Sequence, residues 1–235
     1  MAFRLLDAFQ GLFDGKAYLH RNSTLGDHVA MHLFEDVHAT GLSPKFNARV
    51  AAGAAVMNSA NTQQGIRARR GDGTLGQIVP GAQARADAGY IVQRGPVATI
   101  EIGVEVKILH KAMIKQIDRV ISDLTGQAAT FRKRGGRPIC VGVVGINRAL
   151  HTTSYEGERP FPTDGRKHKH PIAEADEAER RLLTLAAHAF DEFIILRYAA
   201  TNEPPFAFTW ANAKATALDY GAALARIARE YDARF

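Results

Sequence analysis

The chain has 235 residues, 46% hydrophobic and 23% charged, a balance ordinary for a soluble globular protein with a sizeable core. Its longest apolar runs, Ile139–Ile146 and Phe193–Leu196, fall far short of the roughly 18–20 residues that span a bilayer. A single cysteine, Cys140, excludes an intrachain disulfide and a CxxC zinc site, and its place in an apolar run fits a small buried hydrophobe.

The formal net charge is +6 and the pI about 9.6, which favours polyanionic partners. Basic residues cluster in three polar or glycine-bearing stretches: Arg67, Arg69 and Arg70; Arg132, Lys133 and Arg134; and Lys167 and Lys169. Converging on one face, they would form a phosphate-binding rim. The first residues, MAFRLLDAFQGLFDGK, contain acids and no apolar export core, so a cytoplasmic location is expected.

In chain order, Phe3, Leu6, Phe9 and Phe13 have helical spacing. Val29, Ala30, Leu33, Phe34 and Val37 make one stripe of a helix over Leu25–Thr40, with Gly41 as its stop. Residues 50–81 are rich in Ala, Asn, Gln and Gly and read as loop, with one short element near Gln77–Val79. Ala88–Gln93 reads as a strand, Arg94-Gly95-Pro96 as a turn and Val97–Leu109 as a long strand. In it Ile100, Ile102, Val104, Val106 and Ile108 alternate with Glu101, Gly103, Glu105 and Lys107, so period two places the charges on one face. Lys111–Leu124 follows as an amphipathic helix, and Arg137–Asn147 as a β-branched, buried strand. After a polar excursion over 149–171 come a helix at Ala173–Ala189, strands at Phe193–Thr201 and Phe206–Trp210, and a closing helix over Ala213–Tyr231. The expected class is α/β with a mixed central sheet flanked by helices, in one domain over 1–235.

The chemistry concentrates in Arg85–Leu109. Acid-x-lysine alone is weak, since 24 acids in 235 residues make it expected about once by chance, and Asp14-Gly15-Lys16 is a second copy. Glu105-Val106-Lys107 differs in lying on an alternating strand, with Asp87 expected across a tight turn. Mg²⁺ is a hard cation that takes one or two carboxylates plus waters and substrate phosphate. Asp87 and Glu105 would supply the carboxylates and the Val106 backbone carbonyl a third ligand. Lys107, on the face of Glu105, would orient or deprotonate the attacking water, or neutralise phosphate charge.

The pattern Asp87…Glu105-Val106-Lys107, with a helix before it and an amphipathic helix after it, resembles the PD-(D/E)XK nuclease superfamily over roughly residues 23–147. The resemblance implies a restriction-endonuclease-like core, with 148–235 completing the sheet, and a Mg²⁺-dependent endonuclease (Mn²⁺ substituting) acting on DNA. It assigns Asp87 and Glu105 as metal ligands and Lys107 as the catalytic lysine. It also implies restriction or antiphage defence, a homodimer or larger assembly for double-strand cleavage, and room for a small-molecule activator. The chain departs from the pattern in places. Ala86 stands where a proline is common before the first acid, and Asp72 in RRGDGT competes with Asp87 although no strand is expected to follow it. Gln116 matches the helix glutamine of exonuclease-like members, but Val120 stands where they carry tyrosine. Glu35 matches a glutamate that many members carry in the first helix, against a reading as a solvated acid, and Glu101 is either a supporting acid or solvent-facing.

Two other readings stay open: a non-catalytic nucleic-acid-binding protein of the same fold, and a ribonuclease with the same site. His28 and His32 stand at i, i+4 but lack the glutamate of HExxH, so a polar helix face is the better reading. His168 and His170 fit a basic loop. No GxSxG, phosphate-binding P-loop or dinucleotide fingerprint is present.

Overall fold

The structure, a computed structural model, describes residues 2–19, 25–59, 62–63, 66–67, 72–133, 136–156, 159–163 and 171–235; 62–63, 66–67, 156 and 159–163 are described in backbone only. The elements are α1 (Arg4–Gln10), α2 (Leu25–Thr40), α3 (Pro44–Ala51), β1 (Ala55–Asn58), β2 (Thr62–Gln63), β3 (Ile66–Arg67), β4 (Gly73–Ile78), β5 (Arg94–Gly95) and β6 (Val97–Leu109). Then come α4 (Met113–Arg132), β7 (Ile139–Asn147), β8 (Thr152–Glu156), β9 (Arg159–Thr163), α5 (Pro171–Leu185), β10 (Glu192–Ala200), β11 (Phe208–Trp210) and α6 (Ala213–Arg234). No described helix is long and apolar enough to cross a membrane.

Seven strands form one mixed sheet in the order β11-β10-β7-β6-β4-β1-β5. β7 is an inner strand, parallel to both β6 and β10, and all nine of its residues are buried. That is why it reads as a continuous β-branched run rather than an alternating one. β4 is antiparallel to β6 and to β1. β2–β3 and β8–β9 are separate antiparallel pairs.

Helices cover both faces. Val29, Leu33, Phe34 and Val37 of α2 join Phe46, Leu224 and Tyr231 of α3 and α6 over one face, together with Val104 and Val106 of β6. Ile117, Leu124 and Phe131 of α4 pack with Ala178 and Leu182 of α5 over the other. Ser43 caps α3, its hydroxyl accepting from Phe46 N–H at 3.1 Å with Pro44 in the first turn, and Asn212 caps α6 through Ala215 N–H at 3.0 Å.

Three expectations are corrected. Residues 50–81 are not a loop: they hold β1 and β4, two inner strands of the sheet. Their glycines are where neighbouring elements come close. A Cβ on Gly73 would lie 2.3 Å from Ala30 Cβ of α2, and one on Gly76 would lie 1.9 Å from Thr99 O of β6. Second, Ala88–Gln93 is turn and bend, not strand, and β5 pairs in parallel with β1 rather than as a hairpin with β6. Third, β6 does not alternate throughout. Its register with β4 shifts between Leu75↔Ile102 and Gly76↔Ile100, a bulge at Glu101. Glu101 therefore turns to the α3 and α6 side, bonded to Arg49 and Tyr231. Glu105 and Lys107 share the opposite face with Gly103, whose position abuts Phe131 of α4.

Candidate functional site

β6 carries Glu105 and Lys107 two residues apart, which on a strand is one face. Lys107 Nζ donates to Glu105 Oε1 at 2.6 Å. Glu105 is 8% exposed at its side chain and Lys107 24%, so the pair is lodged in the surface rather than waving from it. Beside them lies Asp72, the residue that leads into β4. β4 pairs with β6 only as far as Gly73↔Val104. One ladder step beyond, the Asp72 carboxylate takes over as acceptor: Val106 N–H donates to Asp72 Oδ2 at 2.7 Å. In an extended strand the N–H and C=O of one residue point to the same neighbour, so the Val106 carbonyl faces the Asp72 side as well.

A cleft of about 270 Å³ opens here, between the first turn of α2 and the first half of α4. Its walls include Gly26, Asp72, Val106, Lys107, Gln116, Arg119 and Asp123. A second cleft of about 540 Å³ shares Tyr18, Ile108, Gln116 and Arg119 with it. Asp72 and Asp123 in the walls, the Val106 carbonyl and, through Lys107, Glu105 are oxygen donors of the kind a hard divalent cation such as Mg²⁺ takes. Among the described residues no three Asp, Glu, His or Cys side chains gather as a metal cluster. A magnesium ion that keeps several of its waters takes one or two carboxylates.

The structure brings Glu105, Val106, Lys107 and Gln116 to this place and leaves other expected residues elsewhere. Asp87 accepts from Arg94 Nε at 2.7 Å, and Arg94 also holds Asp27 of α2 at 2.8 Å. β5 is separated from β6 by β1 and β4, about 14 Å at the usual strand spacing. Asp87 and its arginine thus tie a turn to α2, and the expected hairpin to Glu105 does not exist. Glu35 is 2% exposed. It pairs with Arg4 and accepts from the N–H groups of Ile91 and Val92 at 2.8 and 2.7 Å, so it fastens that same turn. Glu101 is neither beside Glu105 nor solvent-facing, because the bulge buries it against Arg49 and Tyr231. Asp14, of the second acid-x-lysine copy, bonds Gln10 at the end of α1.

Arg132 and Lys133 end α4, about 24 Å along its axis from Gln116 at 1.5 Å per residue, and Arg132 pairs with Asp191. The side chain of Arg67, and all of Arg69, Arg70, Arg134, Lys167, Lys169, His168 and His170, lie outside the described residues. His28 and His32 contact edge to face, their ring centroids 4.6 Å apart, and Tyr90 lies against His32. Burial, helped by His28 and Arg4, presses the His32 pKa down to about 4.

Asp72 is the residue that motif reading undervalued. Its sequence signal was present, an acid directly before a segment that pairs with the acid-x-lysine strand. That segment, GTLGQI, carries too few large apolar residues to read as a strand. Compared with known proteins, the chain matches no family model, no curated protein and no solved structure.

Proposed function

We propose that the protein is a divalent-metal-dependent nuclease with a restriction-endonuclease-like core, hydrolysing DNA phosphodiesters through Asp72, Glu105 and Lys107. The observation that carries the reading is the 2.7 Å hydrogen bond from Val106 N–H to Asp72, directly beside the Lys107–Glu105 pair. It supports Asp72, at the head of the neighbouring strand, as the first acid of the PD-(D/E)XK pattern in place of Asp87. The antiparallel pairing of β4 with β6, α2 before them and amphipathic α4 after them support the same reading.

Asp72, Glu105 and the Val106 carbonyl would hold Mg²⁺, or Mn²⁺ in its stead. Bound there, the cation would polarise the scissile phosphate and offset charge that builds up in the transition state. Lys107, held by Glu105, orients the attacking water or neutralises a phosphate oxygen. Asp72 also fixes the β6 backbone through Val106 N–H, so the two strands stay in register at the reacting centre. Gln116 and Arg119 face the same cleft from α4 and supply polar and cationic contacts to the strand. One such site cuts one strand, so double-strand cleavage needs a homodimer or larger assembly. Restriction or antiphage defence is the role this chemistry serves best.

The test incubates the protein with supercoiled plasmid and with single-stranded RNA, in Mg²⁺ or EDTA, alongside Lys107→Ala. Mg²⁺-dependent plasmid nicking lost in the variant is expected. Cleavage of RNA alone would transfer the reading to a ribonuclease. Tight, salt-sensitive binding without cleavage of either would replace it with a non-catalytic nucleic-acid-binding protein.

A further inference from the structure

We propose that the larger cleft beside the nuclease site is a subsite for the phosphoryl group of a nucleotide, carried in the substrate strand or free. The inference deepens the nuclease reading and rests on it for the first of these sources. The cleft measures about 540 Å³, within the roughly 300–1,000 Å³ of ligand pockets. Lys111, Lys115 and Arg119 stand on its walls, and no Asp or Glu is among the described residues that line it. Lys115 and Arg119 are exposed, and neither is in an ion pair with a described residue. The first turn of the long helix α4 opens into the same space. Ala112 precedes it without a side-chain cap, leaving first-turn amides for an incoming anion.

A separate observation calls for a ligand. Ser154 is 2% exposed, and its hydroxyl, in the wall of this cleft, has no hydrogen-bond partner among the described residues. A buried hydroxyl left unpaired is unfavourable, and buried polar atoms are nearly always completed by a partner. A phosphate oxygen between Ser154, the α4 amides and the three cations would complete it. Through Arg119 and Gln116 the subsite runs directly into the cleft of Lys107, so a strand lying across Lys107 would leave a neighbouring phosphate there.

The test reads binding in EDTA, where no cleavage occurs. Inorganic phosphate and thymidine 5′-monophosphate are expected to raise the Tm by several degrees at saturation, and thymidine not at all. Charge reversal of the two exposed cations, Lys115→Glu with Arg119→Glu, should abolish the shift, and Ser154→Ala should weaken affinity about tenfold. Lys133→Glu, at the far end of α4, controls for net charge and should retain it. Displacement of a bound single-stranded oligonucleotide by the monophosphate assigns the strand as source, and simultaneous binding assigns a free nucleotide. Absence of any phosphate-dependent shift, or a shift that survives the double variant, overturns the subsite. Phosphate binding without plasmid nicking would sink the nuclease reading alone. Nicking without phosphate binding would sink the subsite alone.

Discussion

Asp72 and Asp87 offer the sharpest contrast at the scale of single residues, because the two carboxylates do different work. Asp87 shares Arg94 with Asp27 at the surface of a turn, whereas Asp72 accepts from the β6 backbone next to Lys107. Asp72→Asn and Lys107→Ala should each lower Mg²⁺-dependent nicking by at least about 10²-fold. Asp87→Asn should leave the rate within a few-fold of wild type, and an Asp87 variant as dead as Lys107→Ala would refute the choice of Asp72. Glu105 and Lys107 were legible because their tripeptide sits on an alternating strand. Asp72 was legible only as a competitor, since an acid among glycines and arginines looks like any turn. His32 is a second test. Its neutral form is favoured in the folded protein by burial, then by His28 and Arg4, and its pKa falls from the ordinary 6.5 to about 4. Between those values the unfolded chain binds a proton that the folded one does not. Its stability contribution is therefore full above about pH 6.5 and is lost as the pH drops through about 4. His32→Gln should lose less of its urea midpoint between pH 7 and pH 4.5 than wild type does, and parallel losses would contradict this.

β4 is the element that the sequence concealed and the site depends on. Period-two patterning found β6, and continuous β-branched residues found β7, but β4 has only Leu75 and Ile78 as large apolar residues. Its glycines answer to close packing rather than to a loop. Gly73 accommodates Ala30 of α2, and Gly76 accommodates the β6 bulge, where Thr99 O comes nearer than any Cβ allows. The bulge has a consequence for chemistry. By inserting a residue at Glu101 it buries that acid against Arg49 and Tyr231, and leaves Glu105 and Lys107 facing α4. Strict alternation, which the sequence suggested, would have put all three charges together. Gly76→Ala should therefore cost stability towards the upper end of the roughly 1–3 kcal/mol of overpacking, read as a lowered urea midpoint. Because Asp72 is anchored to the same strand pair, nicking activity should fall further than the folded fraction does. Gly126→Ala, where a Cβ meets nothing within 4 Å, is the matched control and should leave both unchanged or slightly improve stability.

Over the described residues of the molecule, several arginines are paired with acids. Arg132 and Arg234 share Asp191, Arg226 holds Glu192, Arg197 holds Glu179 and Arg148 reaches Asp176, all away from the clefts. Lys115 and Arg119, at the cleft end of α4, belong to no such pair among the described residues. A net charge of +6 spread evenly would attract nucleic acid anywhere on the surface. The cations at the cleft end of α4 would draw a polyanion towards the site of Asp72 and Lys107. The prediction is directional. In EDTA, the slope of log affinity against log salt for a short DNA duplex should flatten by about 1 for Lys115→Ala, one phosphate contact removed. Lys133→Ala removes the same formal charge about 27 Å away along α4 and should leave slope and affinity unchanged. Equal flattening by both variants would mean that net charge, and not this end of the fold, governs binding, and the strand would have to lie elsewhere than across Lys107.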